Sequence, residues 1–152
     1  MTKEFKDMKG VIAIATTPFN NENLIDFESV DRLSNYYIES KVSGVTILGV
    51  MGEAHKLNIE EQKTLIKRYV NNLINSVPVI VGVSNAGLDN LELLSKFSMD
   101  SGASGVMVSG NNGLKNDDQI KSYFNQVVDR TQDIPICLQD YPPTTNVYLS
   151  ES

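Results

Sequence analysis

The chain has no tryptophan, one cysteine and one histidine among its 152 residues. A single cysteine, Cys137, excludes an internal disulfide framework and any cysteine-based metal cluster. A single histidine, His55, excludes a multi-histidine metal site and most serine-triad arrangements within the chain. Thirteen Lys and Arg stand against 19 Asp and Glu, a net charge of -6, and there is no basic run. Nucleic acid and anionic membranes select clustered cations, so neither is an expected partner. Long apolar runs are also missing. Val11 to Ala15 and Val79 to Val81 fall far short of the roughly 20 residues that span a membrane. The stretch from Met1 to Lys9 is polar and of mixed charge, without the apolar core of a signal peptide. The expectation is a cytoplasmic protein.

Apolar residues still make up 41% of the chain, enough for one globular domain over residues 1–152. Five short apolar runs organise it: Val11 to Ala15, Val45 to Leu48, Val79 to Val83, Val106 to Val108, and Ile134 to Leu138. They are β-branched and nearly continuous rather than alternating, as buried parallel strands are. Pro78 and Pro135 stand where strands begin, a place that tolerates a missing N–H. Between the runs lie four helical patterns. Their apolar faces are Phe27, Val30, Leu33 and Tyr37; then Ile66, Tyr69, Val70 and Leu73; then Leu91, Leu94 and Phe97; then Ile120, Phe124, Val127 and Val128. Asp26 is a good N-cap for the first helix. Asn58 with Glu61, and Asn116 with Gln119, have the spacing of capping boxes.

The order is therefore β-α-β-α-β-α-β-α-β, with one βα unit every 30 residues or so. Two folds are built this way. A flavodoxin-like sheet closes with five strands. A βα barrel needs eight strands and about 250 residues, so this chain would supply its first five strands and four helices. A phosphorylation receiver of the first fold would need carboxylates after strands one and three, where this chain has Ala15-Thr-Thr-Pro-Phe19 and Val83-Ser-Asn-Ala86. Neither a GxGxxG nor a GxxxxGK[ST] motif follows any strand.

The strand ends carry a more specific pattern. Strand one leads into Thr17-Pro18-Phe19 and then Asp26. Strand two leads into Gly49-Val50-Met51-Gly52-Glu53. Strand five leads into Gln139-Asp140-Tyr141-Pro142-Pro143. This set resembles the dihydrodipicolinate synthase / N-acetylneuraminate lyase family over nearly the whole chain. That family has Thr-Pro-Phe, Gly-x-x-Gly-Glu and Tyr-x-x-Pro at these three places. The resemblance implies a partial TIM (βα)8 barrel and a lyase, an aldolase or dehydratase, that holds pyruvate or another 2-keto acid as a Schiff base on lysine. It implies that Gly49, Val50, Met51 and Gly52 bind the substrate carboxylate through backbone N–H groups, with Gly52 allowing close approach. It implies that Tyr141 is the catalytic tyrosine that relays protons. No metal and no cofactor is implied, and the full-length parent is expected to be a homo-oligomer.

The departures from the family pattern are informative. Well-known members carry hydroxyl residues where this chain has Val50 and Met51, so the hydroxyl relay is absent and a sugar-acid-derived 2-keto acid is the expected substrate. Ser109-Gly110-Asn111-Asn112 follows strand four, where the lysine-biosynthesis enzymes have a tyrosine. The Schiff-base lysine of the family belongs to strand six, beyond Ser152, so this chain alone is expected to be inactive.

Simpler readings stand beside these. Gly-x-x-Gly could be a plain strand-to-helix turn, and Tyr141 a core or interface tyrosine. Glu53 is expected to fix its loop by bonding backbone amides. His55 and Lys56 are expected to be solvated, Tyr148 to be structural, and Cys137 to be a buried small hydrophobe. A non-catalytic ligand-binding half-barrel and a complete flavodoxin-like domain are the alternatives.

Overall fold

The structure, a computed structural model, describes residues 8–150. Most of the polar amino-terminal stretch lies outside the described residues. Five strands and five helices alternate: β1 (Ile12–Ile14), α1 (Phe27–Glu39), β2 (Gly44–Ile47), α2 (Ile59–Leu73), β3 (Val79–Gly82), α3 (Leu88–Asp100), β4 (Gly105–Ser109), α4 (Asp117–Thr131), β5 (Ile136–Gln139) and α5 (Pro142–Thr145). All neighbouring strands are parallel, in the order β1-β2-β3-β4-β5. A flavodoxin-like sheet would run 2-1-3-4-5, so that alternative is ruled out. Sequential order with a helix after each strand is the architecture of a half TIM barrel.

Register divides the sheet into two faces, because paired residues of parallel strands point to the same side and neighbours along a strand to opposite sides. Ile47, Val81, Val106 and Ile136 form one row, joined by the pairs Ile47–Val81, Val81–Val106 and Val106–Ile136. This row faces the helices. With Val45 and Val108 it meets Val30, Leu65, Ile66, Tyr69, Leu91, Leu94 and Val127 in one core. Each such side chain contributes about 1.5–3 kcal/mol when fully buried. The other face carries Thr46, Ile80, Gly82, Met107, Cys137, Ser109 and Gln139. It is the concave face of the half-barrel.

Helix starts follow the expected chemistry. The Asp26 carboxylate accepts from the Ser29 amide at 3.0 Å. Asn58 and Glu61 form a complete capping box, worth roughly 0.5–2 kcal/mol. Asn116 accepts from the Gln119 amide, but Gln119 turns its carbonyl to the Lys115 amide instead of closing the box.

Three expectations need correction. Cys137 is half-buried, not buried, because it points to the concave face, away from the helix-side core. The inward stripe of α4 is Tyr123, Val127 and Thr131, and Val128 is 54% exposed on its flank. The strands are not uniformly buried either. Val11 before β1 and Leu138 on β5 are 69% and 53% exposed, because these two strands are the sheet edges.

Candidate functional site

The loop after β2 is held in an unusual backbone shape. Leu48 and Glu53, which bracket it, both adopt left-handed conformations, φ +55° and +52°. Such angles are costly for residues with a Cβ and persist only where the surroundings impose them. Two glycines make room. A Cβ on Gly82 at the end of β3 would overlap the Leu48 carbonyl oxygen. A Cβ on Gly52 would stand 2.9 Å from the Leu48 nitrogen and 3.0 Å from its Cα. The need for glycine at 52 therefore arises inside the loop itself. The buried Thr17 hydroxyl donates to the Gly52 carbonyl at 2.6 Å, tying the end of β1 to the loop. Gln62 of α2 is buried on the helix's inner face and donates to the carbonyls of Ala54 and Leu57, each at 3.0 Å. It pins the 3-10 turn Ala54–Lys56 that follows the loop.

The loop's amides fall into two groups. Gly52 N–H donates to Gly49 and Glu53 N–H to Val50, so both serve internal turns. The amides of Val50 and Met51 have no hydrogen-bond partner among the described residues. Glu53 does not bond backbone amides as expected; its carboxylate pairs with the Lys56 ammonium. That hydrogen bond, and the Lys56 charge with it, hold the Glu53 carboxyl below the usual carboxylate range. His55 and Lys56 are exposed.

A small cleft of about 130 Å³ opens at the carboxyl ends of the strands, lined in part by Gly49, Val50, Gly82, Ser84, Ser109 and Gln139. A second depression of about 330 Å³ adjoins it, sharing His55, Ser84 and Ser109 and adding Asn111, Tyr123 and Thr144. The Ser84 and Ser109 hydroxyls lie 3.1 Å apart, and the Ser109 amide donates to Ser84 Oγ at 2.9 Å. Tyr123 reaches the Ser109 carbonyl at 3.4 Å, and burial pushes its phenol up from the ordinary value. Buried Val147 packs against the place a Gly110 side chain would occupy, which seats the segment after β5 over the end of β4.

Among the expected site residues, Gly49 and Val50 line the cleft. Gly52 is buried and Met51 is 56% exposed, and neither is among the residues that line the cleft. Tyr141 is 45% exposed and lines neither depression. It N-caps α5, with its carbonyl accepting from the Thr144 and Thr145 amides. In Tyr-x-x-Pro the tyrosine stands three residues before the proline; three before Pro142 stands Gln139, while Tyr141 directly adjoins it. Tyr148, expected to be structural, is 75% exposed. Ser84, Ser109 and Gln139 were not among the expected site residues. The available signal was their common position, one at the end of each of three successive strands.

A profile of the dihydrodipicolinate synthetase family matches residues 7–152. The chain belongs to that family. Among curated family members, the 4-hydroxy-tetrahydrodipicolinate synthase of Methanococcus aeolicus is 29% identical over 93% of this chain and 49% of its own length. The crystal structure of dihydrodipicolinate synthase from Rhodopseudomonas palustris superposes with a TM-score of 0.88 at 42% identity, over 91% of this chain and 46% of that one. YagE, a prophage protein of the family from E. coli K12 solved in complex with pyruvate, superposes with a TM-score of 0.82 at 27% identity, over 90% and 46%. The chain spans about half the length of the curated family members it matches. Among the described residues no group of His, Cys, Asp and Glu is placed to hold a metal ion. No helix among them is long and apolar enough to cross a membrane.

Proposed function

We propose that this chain is the N-terminal part of a Schiff-base-forming lyase that acts on pyruvate or another 2-keto acid. The observation that carries the reading is the pair of unpartnered amides at Val50 and Met51, beside the carboxyl-end cleft. Preorganised N–H groups at a strand end suit a carboxylate, because each donor faces negative charge without giving up another bond. The relatives' name points to dihydrodipicolinate chemistry. Val50 and Met51 offer no hydroxyl, which favours a sugar-acid-derived keto acid over that reaction. In this reading the whole protein is a cytoplasmic homo-oligomer that needs neither metal nor organic cofactor.

Covalent chemistry requires a neutral lysine amine to attack the keto carbon, with loss of water, to form the imine. A lysine with the ordinary pKa of about 10.4 is almost wholly protonated near pH 7, and burial is what lowers that value. Lys56 is 61% exposed and paired with Glu53, and Lys115 is exposed. Neither is placed for this role, and in this reading the 152-residue chain forms no imine by itself.

Two measurements test the reading. Pyruvate is expected to shift the Val50 and Met51 amide resonances of the chain; no shift at either position removes the carboxylate seat. Borohydride reduces an imine to a stable secondary amine, so trapping with pyruvate followed by intact-mass measurement is expected to leave the chain unlabelled. A full-length family member serves as the positive control. Stoichiometric labelling of the short chain would overturn its assignment as an inactive part.

A further inference from the structure

We propose that Gln139, rather than Tyr141, is the β5 side chain that meets the substrate, and that with Ser84 and Ser109 it forms a neutral hydrogen-bonding wall selective for a hydroxylated 2-keto acid. This rests on the keto-acid reading above and assigns the residues that meet the hydroxyls of the sugar-acid-derived substrate which that reading favours.

Register supplies the first argument. Ser109 pairs with Gln139 and Met107 with Cys137, so all four side chains share the concave face. Gln139 is the last residue of β5, where that face reaches the carboxyl-end mouth. It lines the same cleft as Gly49, Val50, Ser84 and Ser109. Tyr141 lies beyond the strand, in the first bend of α5, and is outside that lining.

Hydrogen-bonding capacity supplies the second. The Gln139 side-chain amide is half-buried and has no hydrogen-bond partner among the described residues. It offers two donors and one acceptor oxygen. The two serine hydroxyls beside it are bonded to each other: Ser84 Oγ accepts from both the Ser109 amide and the Ser109 hydroxyl and keeps its O–H donor, while Ser109 Oγ keeps acceptor capacity. The wall contains no carboxylate and no ammonium. It can exchange donors and acceptors with substrate hydroxyls, and it offers no second charge to the carboxylate seated at Val50 and Met51. A keto acid without hydroxyls leaves the wall to water, so the wall adds nothing to pyruvate binding. A ligand whose hydroxyls reach the wall gains hydrogen bonds there, each worth about 0.5–1.5 kcal/mol.

The third argument is what an amide lacks. Glutamine does not titrate and cannot relay a proton, so at this position β5 supplies recognition rather than acid-base chemistry.

The test uses the intact 152-residue chain, isotopically labelled, titrated with pyruvate and with 2-keto-3-deoxygluconate. Both ligands are expected to shift the Val50 and Met51 amides. Only the hydroxylated acid is expected to shift the Gln139 side-chain NH2 signals. Gln139→Leu is expected to weaken binding of 2-keto-3-deoxygluconate about tenfold and to leave pyruvate within about twofold. Tyr141→Phe is expected to change neither. Gln139→Asn, which keeps the amide, guards against a folding defect and should retain part of the selectivity. If the Val50 and Met51 amides respond but the Gln139 signals stay silent while Tyr141→Phe loses binding, Tyr141 is the contact and this proposal falls, with the keto-acid reading intact. If neither ligand moves the Val50 and Met51 amides, the keto-acid reading falls and takes this proposal with it.

Discussion

The Thr17 hydroxyl donates to the Gly52 carbonyl at 2.6 Å, across 35 residues of sequence, and so fixes the loop after β2 to the end of β1. The bond is buried, so its loss leaves a desolvated carbonyl. Thr17→Val keeps the shape and removes the donor. We expect a destabilisation of about 1–3 kcal/mol in urea unfolding, together with broadened Val50 and Met51 amide resonances. An unchanged midpoint with sharp resonances would show that the loop holds its shape without Thr17.

Gly82 is the glycine whose replacement is expected to cost most. A Cβ there would collide with backbone, the Leu48 carbonyl, and not with the movable end of a side chain. Gly82→Ala is expected to cost more than about 3 kcal/mol and to release Leu48 from its left-handed conformation. Gly87, where a Cβ would make ordinary contacts with Asn85 and Asn90, is the control. Gly87→Ala should stay within about 1 kcal/mol of the parent. Equal losses for the two variants would remove the steric explanation.

Asp31 on α1 accepts from Arg68 Nε at 2.7 Å and from Asn72 Nδ2 at 2.8 Å, both on α2. These hydrogen bonds, the Arg68 one first, hold its carboxyl below the usual range. A depressed carboxylate pKa contributes stability that is fully present above the unfolded value of about 3.9 and is lost as pH falls through the folded value. Arg68→Ala is expected to raise the Asp31 pKa, as followed by carboxyl-carbon NMR, and to flatten the acid limb of the stability profile. An Asp31 titration that does not move would mean the Arg68 pair is not what perturbs it.

The two sheet edges predict association. Val11, Ile14 and Leu138 expose 69%, 38% and 53% of their surface on β1, β5 or beside them, and unpaired parallel edges recruit further chains. The purified chain is expected to elute above its monomer mass at high concentration in light-scattering chromatography. Leu138→Lys should shift it toward monomer, because a charge on an edge strand opposes stacking. A parent chain that is monomeric at every concentration would count against these edges as association sites.

Much of this was legible in the sequence because it depends on local pattern. Continuous β-branched runs between amphipathic stretches gave five strands and four main helices close to their observed bounds. The caps at Asp26 and Asn58 could be read from residue type and spacing. The Gly-x-x-Gly-Glu motif located the loop: Gly110-Asn111-Asn112-Gly113 after β4 repeats the glycine spacing but is followed by Leu114 rather than a glutamate. Strand order was different in kind. Nothing local separates 1-2-3-4-5 from 2-1-3-4-5, because both use the same βα units, and only the pairing of distant strands decides between them. The same holds for side-chain direction. Cys137 looked buried because its run is apolar, yet register turns it to the concave face. Tyr141 drew attention by motif and chemical type, while β5 ends at Gln139, which pairs with Ser109 and lines the cleft, and Tyr141 lies beyond the strand as the N-cap of α5. The need for glycine at 82 and the Thr17–Gly52 bond are contacts between chain segments far apart in sequence. A residue's own pattern states what it can do; the register of its neighbours decides what it faces.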